Sequence, residues 1–171
     1  MGDRTTGRRT MRGISTPAIA VARKAGIEFS VQSYEVAGEH GPEGWGVEAA
    51  RALGLDPARV FKTLIVLLDD GRLAVTIIPV AARLRPKSAA AAFGAREAHL
   101  AAAHDAERAT GYVLGGISPL GQRRKLSAAL DASAFDFPTI HVSAGQRGLQ
   151  IELSPHDLAR LISATTTSLT S

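Results

Sequence analysis

The sequence predicts one α+β domain, and three observations lead there. Two apolar runs, FKTLIVLL and RLAVTIIPV, flank Asp69-Asp70-Gly71, the polar pair and glycine that a tight β-hairpin asks for. Helical stretches with their own start and stop residues lie on both sides of that hairpin. The last third of the chain reads as strand-length apolar segments followed by one more helix. A chain of 171 residues, 45% hydrophobic and 21% charged, suits a single globular core. Because aromatic residues make up only 5%, Ala, Val, Leu and Ile must fill that core.

Residues 1–13, MGDRTTGRRTMRG, have no hydrophobic period and read as a basic N-terminal extension. From Ser15 the pattern turns helical, with Thr16 as N-cap, Pro17 at the first helical position and Gly26 as the stop. Ile27 to Glu35 alternates as a strand, with Ile27, Phe29 and Val31 on one side and Glu28, Ser30 and Gln32 on the other. GEHGPEG is a loop. Val47 to Leu53 resumes helical spacing up to Gly54, and Asp56-Pro57 opens a turn. In FKTLIVLL both alternating sets are apolar beyond Thr63, so this strand is expected to be central and buried on both faces.

Pro86 to Phe93 reads as an Ala-rich helix stopped by Gly94, and Ala103 to Ala109 as a second one stopped near Gly111. Strand-like stretches follow at Tyr112–Leu114, Lys125–Asp131, Thr139–Ser143 and Leu149–Leu153. Ser154-Pro155 then starts a last helix through HDLARLI, and ATTTSLTS carries no pattern. The expected organisation is a folded domain over 14–163, between the basic extension 1–13 and a C-terminal tail, 164–171.

Composition excludes several chemistries. The chain has no cysteine, which removes disulfide scaffolds, thiolate metal sites and a thiol nucleophile of its own. No run of about 18 apolar residues is present and the N-terminus lacks a signal-like apolar core, so a cytoplasmic protein without a membrane partner is expected. His40, His99, His104, His141 and His156 show no ligand spacing, so neither a metal nor a cofactor is expected. No GxSxG elbow or Ser-x-x-Lys pattern occurs, and the turn accounts for Asp69-Asp70. Of the formal charge of +4, residues 1–13 supply +3, from Arg4, Arg8, Arg9 and Arg12 against Asp3. Net charge therefore says little about a nucleic-acid partner, and local clusters must carry that case.

Three features carry candidate chemistry. Lys62 is the lone charge in an apolar strand. It is either a lysine whose stem packs on the sheet or a partly desolvated cation that stabilises developing negative charge. GGISPLG, Gly115 to Gly121, is either an ordinary connection or a loop that brings backbone N–H groups close to a phosphate or carbonyl oxygen. Arg123, Arg124 and Lys125, with Arg147 in the turn AGQRG, are either a solvated face or a grip on phosphates.

Taken together, STPAI, VFKTLIV, TGYVLGGISPLGQRRKL and IHVSAGQRGLQIEL resemble the YbaK family of Cys-tRNA(Pro) deacylases over about Ser15 to Ile162. The resemblance implies a mixed, largely antiparallel β-sheet curled into a barrel-like body with helices around it. It implies hydrolysis of mischarged aminoacyl-tRNA, Cys-tRNA(Pro) first, with Lys62 as the essential lysine. Gly115, Gly116 and Pro119, with Ile117 and Ser118 between them, match the loop that shapes the pocket. Tyr34, Trp45, Thr63 and Ser143 match further pocket positions, and Gln150 stands where an acid is common. The implied partners are the acceptor end of a mischarged tRNA and prolyl-tRNA synthetase. The implied mechanism is substrate-assisted: the misattached cysteine supplies the thiol, and the protein supplies orientation and oxyanion stabilisation. Two alternatives stay open, a non-catalytic tRNA-binding module and a deacylase for another small amino acid such as alanine.

Overall fold

The computed structural model describes residues 14–36 and 44–171. The basic segment 1–13 and the GEHGPEG loop up to residue 43, with His40, lie outside them. Helix α1 (Pro17–Ala25) begins as its cap predicts: the Thr16 hydroxyl accepts the Ile19 N–H at 3.1 Å, and Gly26 closes the helix at φ 69°. Strand β1 (Phe29–Ser33) follows. Helix α2 (Gly44–Leu53) starts earlier than the expected Val47, because Gly46 packs so tightly on Val80 that a Cβ would sit 2.3 Å from its Cγ1. Tertiary contact there overrides glycine's poor helix propensity.

The hairpin forms as read, from β2 (Phe61–Leu68) and β3 (Leu73–Pro79), paired antiparallel from Phe61↔Pro79 to Leu67↔Leu73. At its turn the Asp70 carboxylate accepts the Arg72 N–H at 3.0 Å, and Gly71 takes φ 89°. Then come α3 (Pro86–Ala92), β4 (Ala98–Leu100), α4 (Ala103–Thr110), β5 (Ser127–Asp131), β6 (Ile140–Ser143), β7 (Leu149–Leu153), α5 (Pro155–Ile162) and β8 (Thr165–Thr167).

Three expectations are corrected. Tyr112–Leu114 is not a strand. Tyr112 turns into the core, where its hydroxyl donates to the Leu120 carbonyl at 2.6 Å, while Val113 and Leu114 face solvent. The segment 164–171, which shows no pattern in sequence, supplies β8, parallel to β5, and buries Leu169 completely. Its polar threonines hide a strand that forms because a neighbour offers a ladder edge.

The barrel is also not closed. One sheet has the order β1-β7-β6 and is wholly antiparallel; the other has the order β4-β2-β3-β5-β8 and is mixed. They meet at a single parallel bridge, Val60↔His141. Further along β2, from Val66 to Leu68, the partner is β4.

Because ladder partners share a face, the seam still keeps both sheets on one core. Phe61, Ile65, Val75 and Ile77 from the five-stranded sheet pack with Ile140, Val142, Leu149 and Ile151 from the three-stranded one, under α1 and α5. The opposite face of β2 packs Val66 and Leu68 on α3. β2 is thus central and largely covered on both faces, as its composition predicts. Among the described residues no helix is long and apolar enough to cross a membrane.

Candidate active site

The face of the sheets away from the main core carries the site. Alternation along β2 puts Lys62 on the same face as Val60, and the Val60↔His141 bridge puts His141 there as well. One pleat further on lies Ser143, which pairs with Gln150, which in turn pairs with Gln32. Lys62, Ser143 and Gln150 therefore form a polar row across three strands. With about 4.8 Å between neighbouring strands, Lys62 and Gln150 are on the order of 10 Å apart at the backbone.

Helix α2 lies over this row. Gly46 sits beside Lys62, where a Cβ would be 3.9 Å from the lysine's own Cβ. Trp45 lies against Gly115, where a Cβ would come within 2.4 Å of the indole. Gly115 can tolerate that approach, and its φ of 82°, only without a side chain. Gly116 is pressed onto the backbone of Gln146 and Arg147, and Gly148 onto the Tyr34 carbonyl, which also accepts no side chain there. The Tyr34 N–H donates to the Gly148 carbonyl at 3.0 Å. Two glycine-bearing turns, α2 and the end of β1 thus converge on one patch.

Lys62 is half-buried, and that burial, together with the charge of Arg83, holds its pKa below the ordinary 10.5. Burial raises the Tyr34 hydroxyl above 10.0, and the Glu48 carboxylate adds to the rise, while bonds from Gly148 and the Gln150 carboxamide oppose it. Gln150 is only 6% exposed, and its Oε1 has no hydrogen-bond partner among the described residues. Such an orphaned acceptor costs about 1–3 kcal/mol, a strain often found where a ligand group is meant to dock.

The remaining expected residues divide. Thr63 points to the opposite face of β2 from Lys62, toward Phe61 and Ile65, and its buried hydroxyl has no hydrogen-bond partner among the described residues. Ile117 belongs to the hydrophobic core, and Ser118 is fully buried with its hydroxyl accepting the Leu120 N–H at 3.2 Å. These two, with buried Pro119, shape the loop from within. The Gly116 N–H is taken by the Val113 carbonyl at 2.9 Å. The Ser143 hydroxyl accepts the Gly145 N–H at 3.1 Å.

Arg147 joins the site: its guanidinium stacks 4.2 Å from the Trp45 ring centre, and its Nε donates to the Leu114 carbonyl at 2.8 Å. Arg123 covers Gly111. Arg124 lies elsewhere, in a groove of about 630 Å³ at the hairpin end, with Asp70, Arg72, Asp105 and Lys125. Leu67 in that groove lies five positions along β2 from Lys62, roughly 17 Å at 3.3 Å per residue.

Sequence reading missed the floor beneath the row. Gln32 and His141 are each 1% exposed, and the Gln32 Oε1 lies 3.1 Å from the His141 Nδ1. The Gln32 Nε2 donates to Glu152 at 3.1 Å, Thr139 donates to the same carboxylate at 2.7 Å, and Arg59 lies 3.7 Å from it. Burial pushes the Glu152 carboxyl up, but the Thr139 bond, the His141 charge and the bonds from Ser30 and Gln32 leave it below 4.5. The signal was present: polar residues recur at period two in IHVS, LQIEL and FSVQS, on a face that alternation alone assigns to water.

Comparison with known proteins identifies the family. A family model described as an aminoacyl-tRNA editing domain matches residues 45–161. A curated Enterococcus faecalis protein, provisionally named Cys-tRNA(Pro)/Cys-tRNA(Cys) deacylase EbsC, is 37% identical over 112 residues, covering 66% of this chain and 68% of that protein. Two crystal structures share the fold. One, the hypothetical protein APE2540, has a TM-score of 0.79 at 22% identity, over 91% of this chain and all of that one. The other, provisionally described as a trans-editing enzyme for prolyl tRNA synthetase, has a TM-score of 0.79 at 21% identity, over 93% of this chain and 99% of that one. The matched span runs from Trp45 through Lys62, the Gly115 loop and Gln150, the residues that converge on this patch; the chain belongs to the aminoacyl-tRNA editing domain family.

Proposed function

We propose that this protein removes a wrong amino acid from tRNA by cleaving the aminoacyl ester, with Cys-tRNA(Pro) as its substrate. The observation that carries the reading is Lys62: a half-buried cation on the polar row with Ser143 and Gln150, in a chain without cysteine. The substrate cysteine's sulfur attacks its own ester carbonyl, and the C–O bond to the ribose breaks. The thiol proton ends on the released ribose hydroxyl, and water later opens the small cyclic thioester. Lys62 and backbone N–H groups of the Gly115 loop stabilise the oxyanion that forms on the way, and partial desolvation strengthens the lysine's contribution. Tyr34 and Gln150 hold the aminoacyl group.

The arginine at 147 supports contact with the acceptor end. The names of the relatives support the substrate class and an editing role alongside prolyl-tRNA synthetase. Gln150, uncharged where an acid is common, favours a second reading in which the pocket selects on size and accepts other small amino acids.

One experiment separates these readings: measure ester loss from Cys-, Ala- and Ser-tRNA with wild type and Lys62→Ala. The first reading expects rapid loss from Cys-tRNA alone, cut about 100-fold or more in the variant, as for loss of an oxyanion donor. Equal rates for Cys- and Ser-tRNA would rule out the thiol mechanism. Binding without accelerated loss from any substrate would leave a tRNA-binding module.

A further inference from the structure

Arg147 is held in a way that gripping a phosphate does not require. An exposed arginine that only neutralises a phosphate gains from a free arm, yet this guanidinium is fixed in plane by the Trp45 ring on one side and the Leu114 carbonyl at its Nε. The ordering cost of such a side chain is met before any ligand arrives. Beside it, Val113 and Leu114 are 53% and 39% exposed, two of the three exposed large hydrophobic residues among those described. Nothing in the fold gains from leaving them in water. Leu114 leads directly into Gly115, so this surface borders the site itself.

We propose that Arg147, clamped on Trp45, forms with Val113 and Leu114 a stacking platform for an unpaired nucleobase at the 3′ end of the RNA. The inference rests on the deacylase reading and adds how the acceptor end is held. A planar cation with an apolar flank matches a base, which offers a π-face to stack on and an adjoining phosphate to neutralise. An acyl chain would leave the cation unused, and an acidic peptide would leave the apolar pair unused. Base stacking is also tolerant of sequence, so the platform fixes the strand's position while Lys62 and Gln150 face the ester.

The test uses an RNA hairpin with a single-stranded 3′ end that carries cysteine through a non-hydrolysable amide. Abasic nucleotides replace, one at a time, each unpaired position before the last. Binding is measured for the wild type, Arg147→Ala, Arg147→Lys and Leu114→Ser at several salt concentrations. Removal of one particular base is expected to weaken wild-type binding about tenfold, in line with the energy of stacking one base. Arg147→Ala is expected to lose a similar factor on the intact RNA and nothing further on that abasic RNA. Arg147→Lys keeps the charge without the plane and is expected not to rescue binding.

Full rescue by lysine, with the salt dependence of wild type, would reduce Arg147 to a phosphate contact and overturn the proposal. So would losses that simply add between the arginine variant and every abasic RNA. Because the probe cannot be hydrolysed, these outcomes stand apart from whether the wild type cleaves any ester. Failure to cleave Cys-tRNA would overturn the deacylase reading and leave the platform to be decided by binding.

Discussion

Lys62 is the residue on which sequence and structure most nearly disagree about emphasis. A lysine at a strand's start is ordinarily a packed stem with a wet head. Here α2 sits over it, Gly46 leaves it room, and burial lowers its pKa below 10.5. If the cationic form acts on the oxyanion, activity falls as pH rises through that lowered value. An alkaline limb in kcat/KM below 10.5 is therefore expected, after subtraction of spontaneous ester loss. In Lys62→Arg the limb should vanish from the measurable range, because arginine stays charged; an unchanged limb would assign it to another group. Tyr112 gives a second expectation. Burial pushes its pKa up to about 12 from 10.0, so the folded state favours the neutral phenol. Its contribution to stability is full below pH 10 and lost as pH rises toward 12. Tyr112→Phe leaves the Leu120 carbonyl without its partner and should cost about 1–3 kcal/mol at neutral pH. It should also flatten the alkaline fall in stability seen by denaturant titration, apart from the share that Tyr34 contributes in the same direction.

At the scale of elements, the C-terminal segment matters more than its composition suggests. Leu169 is fully buried against Ile78 and Ala129, its N–H donates to the Asp131 carboxylate at 2.8 Å, and its carbonyl accepts the Arg85 N–H at 2.7 Å. Leu169→Ala should cost about 2–5 kcal/mol, the range for deleting a buried leucine. Thermal unfolding would check this, and a loss under about 0.5 kcal/mol, as for an ordinary surface site, would show the segment to be dispensable. Local signals made the hairpin, α1 and α5 legible: the Asp-Gly turn, Thr16 before Pro17, and Ser154 before Pro155. β8 was not legible, since three threonines become a strand only beside β5. β4 was too short to show a period. The candidate site was legible as two glycine turns and a lysine. What brings them together, α2 from Trp45 to Glu48, starts in glycines that carry no helical signal. Alternation placed Lys62 correctly within its strand but could not separate it from Thr63 without knowing which face is the site.

Across the whole molecule, the open seam between the sheets raises the question whether they form one folding unit or two. Ladder pairing alone suggests two, since among the described residues the Val60↔His141 bridge is the only β-pairing that joins them. Side-chain packing argues for one. Phe61 and Ile65 share a core with Val142 and Ile151, and the same core reaches α1 and α5. The polar floor adds a second bond across the seam. Arg59, just before β2, donates to the Thr139 carbonyl at 2.9 Å and approaches Glu152 on β7. Separating the sheets would expose the apolar side of both and strand buried polar groups, each unpaired group costing about 1–3 kcal/mol. That outweighs the few ladder bonds a closed barrel would add. A single cooperative transition in denaturant is therefore expected. Trp45 fluorescence reports the site beside α2, and far-ultraviolet circular dichroism reports the backbone of both sheets; their midpoints should coincide. A Trp45 transition well ahead of the backbone signal would mean that α2 and the seam open as a separate unit. The site's geometry would then depend on substrate to assemble it.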